Sequence, residues 1–360
     1  MGRQTRAYVD LEALRYNFRL AQRHAGEAAA MAVVKADGYG HGLEAVARAL
    51  DSEATRFAVA SLEEAERLRS AGIEQPIVLL QGFHDPDDIR TCVSLALEPV
   101  VHSEHQLVAI EQASLGGSLA VWLKINTGMN RLGFPPADAD AVIARARLIE
   151  GVNLLGLMTH YACADDRDET MTAHQNGLFS ALARRYPDLM FSASNSAGHF
   201  RESSPRFDWT RPGIMLYGAT PMIAESAAEL GLRAVMTLEA RLTAIRTLQP
   251  GDAVGYGSTW RAEQPTPMGI VSIGYGDGYP RHAPTGTPIW IDGVRITTLG
   301  RVSMDMLAVN LTAAPHARPG DKVELWGANV PVDEVARHAG TIGYELLTGV
   351  TARVPRVYSE

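Results

Sequence analysis

Cysteine is scarce in this chain: only Cys92 and Cys163 occur in 360 residues. That number excludes a disulfide-stapled scaffold and fits a reducing, cytoplasmic setting. Long apolar runs are also missing. The longest, such as Pro76-Ile77-Val78-Leu79-Leu80, fall far short of the roughly 20 residues that span a bilayer, so no membrane association is expected. No apolar stretch follows the arginines of Met1–Arg6, so no signal peptide is read there. Positive charge is not in excess. With 33 Lys and Arg against 41 Asp and Glu, the net charge is -8, which argues against nucleic acid as a partner. Internal repeats and low-complexity segments are absent. Asn310-Leu311-Thr312 spells a glycosylation sequon, read as chance without a secretory signal.

The rest of the composition, 46% hydrophobic and 21% charged, is that of a globular protein, and the length suits two domains. From about residue 30 to 220 short apolar runs alternate with amphipathic stretches. Eight strands are expected: Ala32–Lys35, Phe57–Ala60, Pro76–Gln81, Leu97–Val101, Leu119–Asn126, Leu154–His160, Phe191–Ser196 and Ile214–Gly218. Between them Leu62–Ala71, Ser103–Ala113 and Ala137–Leu148 show the three- and four-residue apolar spacing of helices. Ser61 and Glu64 read as a capping box. Near-continuous apolar strands alternating with helices predict an α/β fold, a (β/α)₈ TIM-like barrel over residues 1–228. A doubly wound sheet is the alternative, but Gly38, Gly40 and Gly42 give G-x-G-x-G, a poor match to the dinucleotide fingerprint. From 229 to 360 turn signals multiply: Pro250-Gly251-Asp252, Asp292-Gly293 and Pro319-Gly320-Asp321. A mostly antiparallel β domain is expected there, with a hairpin at Asp292-Gly293 and one helix near Val332–His338.

Chemistry concentrates at the expected carboxyl ends of the barrel strands, where barrel enzymes keep their sites. Ala32-Val33-Val34-Lys35-Ala36-Asp37-Gly38-Tyr39-Gly40-His41-Gly42 puts one lysine after an apolar run and before a glycine-rich loop. A buried ammonium loses proton affinity and becomes a usable nucleophile or base. Such an amine most often serves in a Schiff base with pyridoxal phosphate, although a lysine can also snorkel to solvent. Tyr39 suits either a core aromatic or a phosphate contact. Lys124 lies inside an apolar strand, where an unpaired charge is hard to tolerate. His160 ends the sixth strand and reads as a core residue or a catalyst. Ser196, with the backbone of Gly213 and Ile214, makes a plausible anion nest near strands seven and eight. Arg211 precedes strand eight and reads as a site residue or a surface ion pair. Three glycine-flanked clusters mark the β domain, around Tyr256, around Tyr275, and over Arg301–Met306.

In order and over nearly the whole length, these segments resemble bacterial alanine racemases. AVVKADGYGHG, KINTGMNRLGF, RPGIMLYG, VGYGSTW, GYGDGYPR, GRVSMDM and RVPR carry the resemblance. It implies pyridoxal 5'-phosphate held by Lys35 as a Schiff base, and interconversion of L- and D-alanine by two bases. Lys35 would be one base. Tyr256 from the partner of a head-to-tail homodimer would be the other. Arg211 would meet the pyridine nitrogen, His160 would link Arg211 to Tyr256, and Arg131 would contact the cofactor phenolate. Tyr39, Ser196, Gly213 and Ile214 would hold the phosphate. Met304 of the partner would receive the substrate carboxylate, with Tyr275 and Asp305 near the entrance. Lys124 matches a position carbamylated in many members. No metal is implied. The product, D-alanine, is a peptidoglycan precursor, but the sequence does not separate wall synthesis from D-alanine breakdown. Two positions depart from the pattern: Ala352 stands where some members carry a phosphate-binding tyrosine, and Ser192 where some carry a histidine. Related readings are a racemase for serine, lysine or a broad set, a barrel decarboxylase, and a non-enzymatic pyridoxal-phosphate carrier. The carrier lacks the second domain, and the Arg211 and Tyr256 motifs favour racemisation over decarboxylation.

Overall fold

A computed structural model describes residues 4–360; Met1–Arg3, where the leader reading begins, lie outside it. Seven parallel strands lie side by side: Phe57–Val59, Ile77–Leu79, Leu97–Val101, Leu119–Lys124, Val152–Met158, Met190–Ser192 and Trp209–Thr210. The closing stave is broken at Met31. Its first half, Ala29–Ala30, pairs with Trp209–Thr210, and its second half, Ala32–Val33, pairs with Phe57–Ala58. The break lets one stave join both edges, and the result is the expected eight-stave barrel. Strand side chains such as Phe57, Val59, Val78, Val100 and Leu123 are fully buried, which explains their continuous rather than alternating apolar pattern.

The eighth expected strand is a correction. Ile214–Tyr217 is a 3₁₀ turn, and Trp209–Thr210 is the stave. Pro212 cannot donate to a ladder, so the chain leaves the sheet there. All four residues of the turn are buried, and a short, wholly buried apolar run carries no period that separates strand from helix. The first strand is corrected too: it stops at Val33, and Lys35 opens a separate turn. The helices lie close to their expected places, at Leu62–Ser70, Glu104–Gln112 and Ala139–Leu148. Ser61 caps the first of these, accepting from the Glu64 N–H at 3.5 Å. The capping box is not reciprocal, because the Glu64 carboxylate accepts from Ala60 N–H at 2.9 Å and from Ala36 N–H at 2.6 Å instead.

The second body is an eight-stranded sheet, antiparallel except at one pair, and its spine is the long strand Met236–Leu248. Asp292 and Gly293, both at positive φ, close the hairpin between Pro288–Ile291 and Val294–Leu299, as expected of this dipeptide. The N-terminal strand Arg6–Asp10 belongs to this sheet. It runs antiparallel to Met236–Glu239 and parallel to Arg356–Ser359. Asp10 then caps helix Leu11–Ala25 by accepting from Ala13 N–H at 2.8 Å, so the chain enters the barrel already anchored to the β domain. Two helices decorate the sheet: the expected Val332–Ala339 and an unexpected Gly343–Thr348.

Candidate active site

Lys35 leaves the barrel wall at the carboxyl end of its stave and starts a turn of unusual hand. Ala36, Asp37, Gly38 and Tyr39 all have positive φ, between 50° and 61°. Outside glycine such a conformation costs about 1–2 kcal/mol per residue, so neighbours must hold the turn. The turn tips Tyr39 inward, where its ring stacks on Tyr217 at 4.7 Å. The Tyr217 hydroxyl donates to Val33 O at 3.0 Å, which ties the stack to the stave that carries the lysine. Burial keeps the Tyr39 phenol protonated and able to donate.

Around the turn opens a cavity of 650 Å³. Lys35, Lys124, Arg131, His160 and Arg211 all line it, an uncommon gathering of basic groups without a lining carboxylate of matching number. Burial is the first cause that lowers the proton affinity of Lys35, followed by the field of Arg131. Lys124 is 8% exposed, and burial with the charges of Arg211, Arg131 and Lys35 brings it down to about 7. His160 is held neutral by burial and then by Arg211, Lys124, Arg131 and Lys35. Arg211 is shifted down to about 10 by burial and remains a cation at neutral pH.

Arg211, His160 and the loop of Arg131 have visible supports. Arg211 donates to Ser192 Oγ at 2.5 Å, to Thr159 O at 2.5 Å and to Ala193 O at 3.2 Å. It also lies 3.3 Å from His160 Nδ1, whose other nitrogen faces the Asn195 amide at 3.4 Å. Arg131 is carried by a loop that Asn126 organises, its Oδ1 accepting from Gly128 N–H at 3.2 Å and Asn130 N–H at 2.9 Å. The cavity floor near strands seven and eight is a close-packed cradle. Ser196 Oγ accepts from Gly213 N–H at 2.8 Å and from Met215 N–H at 3.4 Å. A β-carbon at position 213 would come within 2.4 Å of the Tyr39 hydroxyl, so only glycine leaves that hydroxyl its place.

The β-domain residues are elsewhere. Tyr256, Tyr275, Met304 and Asp305 do not line the barrel cavity. Tyr275, Met304 and Asp305 lie in adjoining segments, and the glycines flanking Tyr256 lie beside Arg301 of the same stretch. The backbone N–H groups of Tyr275 and Gly276 donate to Ser303 O and Met304 O at 3.1 and 2.8 Å, and Arg353 pairs with Asp305 at 2.6 Å. Tyr256 is 70% exposed and Met304 52% exposed.

Sequence profiles of known families account for both bodies. The alanine racemase N-terminal domain matches residues 9–221, and the alanine racemase C-terminal domain matches residues 235–358. The chain belongs to the alanine racemase family. It is thereby a racemase, an isomerase. It is 56% identical to the alanine racemase of Marinobacter nauticus over 99% of this chain and 100% of that one. It is 50% identical to the biosynthetic alanine racemase of Pseudomonas aeruginosa, with 98% of each chain covered. The crystal structure of that Pseudomonas enzyme superposes with a TM-score of 0.96 at 49% identity over the full length of both chains. The alanine racemase of Acinetobacter baumannii superposes at 0.93 with 38% identity, covering 99% of this chain and 100% of that one.

Both departures from the family pattern have a structural counterpart. Ser192 is fully buried, accepts from Arg211 and donates to Trp209 O at 2.8 Å, so it serves as an anchor for the arginine. Ala352 is exposed and does not line the cavity. Tyr344, which sequence reading passed over, does line it, with its ring 6.2 Å from that of Tyr39. It comes with Glu345 and Thr348 from the unexpected helix, and with Ile342 just before it. Ile342, Leu346 and Leu347 carry the helical spacing that could have revealed it. No helix among the described residues is long and apolar enough to cross a membrane.

Proposed function

We propose that the chain is a cytoplasmic, pyridoxal 5'-phosphate-dependent alanine racemase whose sites are shared between two subunits. The observation that carries this reading is the placement of a partly buried lysine of lowered proton affinity beside the Tyr39–Ser196–Gly213 cradle and a locked arginine, all in one cavity. The residues fit the cofactor. Tyr39, Ser196 and the backbone of Gly213 and Ile214 would hold its phosphate, and Lys35 would attach its carbonyl carbon. When bound, the cofactor supplies an electron sink that eases removal of the Cα proton.

The side chains divide the remaining work. Lys35, with its lowered proton affinity, takes or returns a proton on one face of Cα. Tyr256 of a second copy does the same on the other face, and the exposure of Tyr256 on its own chain suits that use. Arg211 only donates hydrogen bonds, so it would hold the ring nitrogen without giving it a proton. That would restrain electron withdrawal by the bound cofactor and so disfavour transamination. His160 steadies Arg211 and would connect it to Tyr256. Arg131 would meet the phenolate oxygen. Met304, through its backbone N–H, would take the substrate carboxylate, with Tyr275 and Asp305 at the entrance. Lys124, brought down to about 7 in a field of cations, is an uncharged amine for part of the time at neutral pH. Reaction with CO₂, releasing a proton, would turn it into a carbamate anion that orients Arg131.

The reading is tested by racemisation assays over a panel of L-amino acids, with borohydride reduction of the loaded enzyme. Alanine should be the preferred substrate, and the reduced cofactor should be found on the peptide carrying Lys35. Another substrate preferred tenfold, or label on another lysine, would sink it.

A further inference from the structure

The turn that carries Lys35 is unfavourable by itself, and two side chains outside the cavity hold it at its two ends. At the start, the Glu64 carboxylate spans two strand ends. It accepts from Ala36 N–H at 2.6 Å and from Ala60 N–H at 2.9 Å. At the far end, His41 Nδ1 lies 3.1 Å from Gly38 O and 2.9 Å from Tyr39 O. Two carbonyls can be served only by an N–H, so Nδ1 carries the proton. Nε2 is buried and has no partner among the described residues. Burial drives the imidazole down to about 4, so it stays neutral. A buried, bare nitrogen is unfavourable, and here it accompanies a donor placed on two carbonyls of the turn. Neither Glu64 nor His41 lines the cavity.

We propose that Glu64 and His41 are positioning residues for Lys35, clamping at its two ends the left-handed turn on which its amine stands. Glu64 binds the amide directly after the lysine. It also opposes Arg131 and Arg211 in the field felt by the amine, so it acts on the lysine both through the backbone and through space. His41 fixes the far end of the turn, where Tyr39 starts toward the cradle. The proposal rests on the reading of Lys35 as the cofactor lysine.

The test uses the full chain loaded with pyridoxal phosphate and four variants: Glu64→Ala, Glu64→Gln, His41→Ala and His41→Asn. Amide exchange over residues 35–42 is read by mass spectrometry, and release of the cofactor to hydroxylamine by absorbance. Both alanine variants should speed exchange in the turn and cofactor release by about fivefold to tenfold, the scale of one lost hydrogen bond, with the rest of the barrel unchanged. His41→Asn can place an amide N–H where Nδ1–H stands, and Glu64→Gln keeps one acceptor, so each should recover part of the loss. Because Glu64 is half-exposed, its variants keep the test valid if His41→Ala does not fold. Unchanged exchange in the turn of Glu64→Ala would overturn the proposal. So would exchange raised across the whole barrel, or a loosened turn with unchanged cofactor release. Failure of the wild-type chain to take up the cofactor would instead remove the Lys35 reading, and the exchange result would still report on the clamp.

Discussion

The barrel mouth and the exposed face of the β domain handle polar groups in opposite ways. In the mouth, Arg211 is 4% exposed and tied to four neighbours. On the β-domain face, Tyr256 and Met304 present most of their surface to solvent. Orientation in the mouth is therefore fixed within one chain, at the expense of burying several cations. The tyrosine is left for something outside the chain to orient. A mouth with locked side chains beside a face with exposed ones teaches that one chain can fix the orientation of some polar groups and leave others unfixed. The proposed shared-site dimer would use this difference, since two-fold symmetry gives each copy one mouth and one face to exchange.

The sharpest way to break this comparison is to damage the two regions in different chains. Lys35→Ala and Tyr256→Phe homodimers should each be nearly inactive. After subunit exchange, a mixed dimer has one site with both lesions and one with none. Activity should return to about half the wild-type value per mixed dimer, by the counting that symmetry imposes. If both residues served the same chain's site, every site would keep a lesion. Continued inactivity after exchange shown by mass spectrometry would end the shared-site reading.

Tyr256→Phe by itself should be smaller in effect and more selective. Removing a positioned acid or base typically lowers the rate about a hundredfold to ten-thousandfold. Because an exposed side chain supports little of the fold, the unfolding temperature should stay near wild type. Solvent deuterium should enter Cα more slowly from one enantiomer than from the other. Equal, mild losses in both directions would mean that Tyr256 does not serve one face.

The unequal treatment of the two regions also explains what could be read beforehand. Strands such as Leu97–Val101 and Leu119–Lys124 announce themselves, because burial on both sides demands continuous apolar runs. Lys35 and Lys124 stand out because charge in apolar company needs a reason, and Arg211 because it precedes the eighth expected strand. The hand of the turn after Lys35 was not legible. Ala36, Asp37 and Tyr39 have no intrinsic preference for positive φ strong enough to predict it. The Glu64 carboxylate reaches the turn from 28 residues further along the chain, a contact that only tertiary packing sets. The place of Arg6–Asp10 in the distant sheet was equally hidden, since a five-residue strand says nothing about which edge it will join. Ile214–Tyr217 misled for the opposite reason: four buried apolar residues suit either geometry.

Inside the mouth, the role of Arg211 can be sharpened by changing what it offers the ring nitrogen. Arg211→Glu would place a proton partner there. It would also lose the hydrogen bonds to Thr159 O and Ala193 O, so the fold must be checked by circular dichroism. Racemisation should slow by at least about tenfold, within the range for a positioned group. The ratio of transamination to racemisation should rise. An unchanged product ratio and an unchanged near-visible spectrum would place Arg211 away from the ring.

The smallest effect concerns Lys124 and reads out in stability. In the unfolded chain its amine keeps a proton up to the ordinary value of 10.5, whereas in the folded mouth it releases it near 7. Below about 7 both states hold the proton, and folding bears the whole penalty of burying the cation. Between about 7 and 10.5 the unfolded state binds more protons, so stability rises with pH over that window. Lys124→Met removes the titration. In bicarbonate-free buffer the variant should exceed wild type by about 1–3 kcal/mol at pH 6, the usual span of single-residue effects. The gap should narrow steadily as pH approaches 10. Added bicarbonate should narrow it further at neutral pH, because a carbamate would exchange the buried cation for an anion facing Arg131, Arg211 and Lys35. Chemical denaturation across pH 6–10, with and without bicarbonate, measures both slopes. A gap independent of pH would show that the Lys124 amine already has a compensating partner in the folded protein.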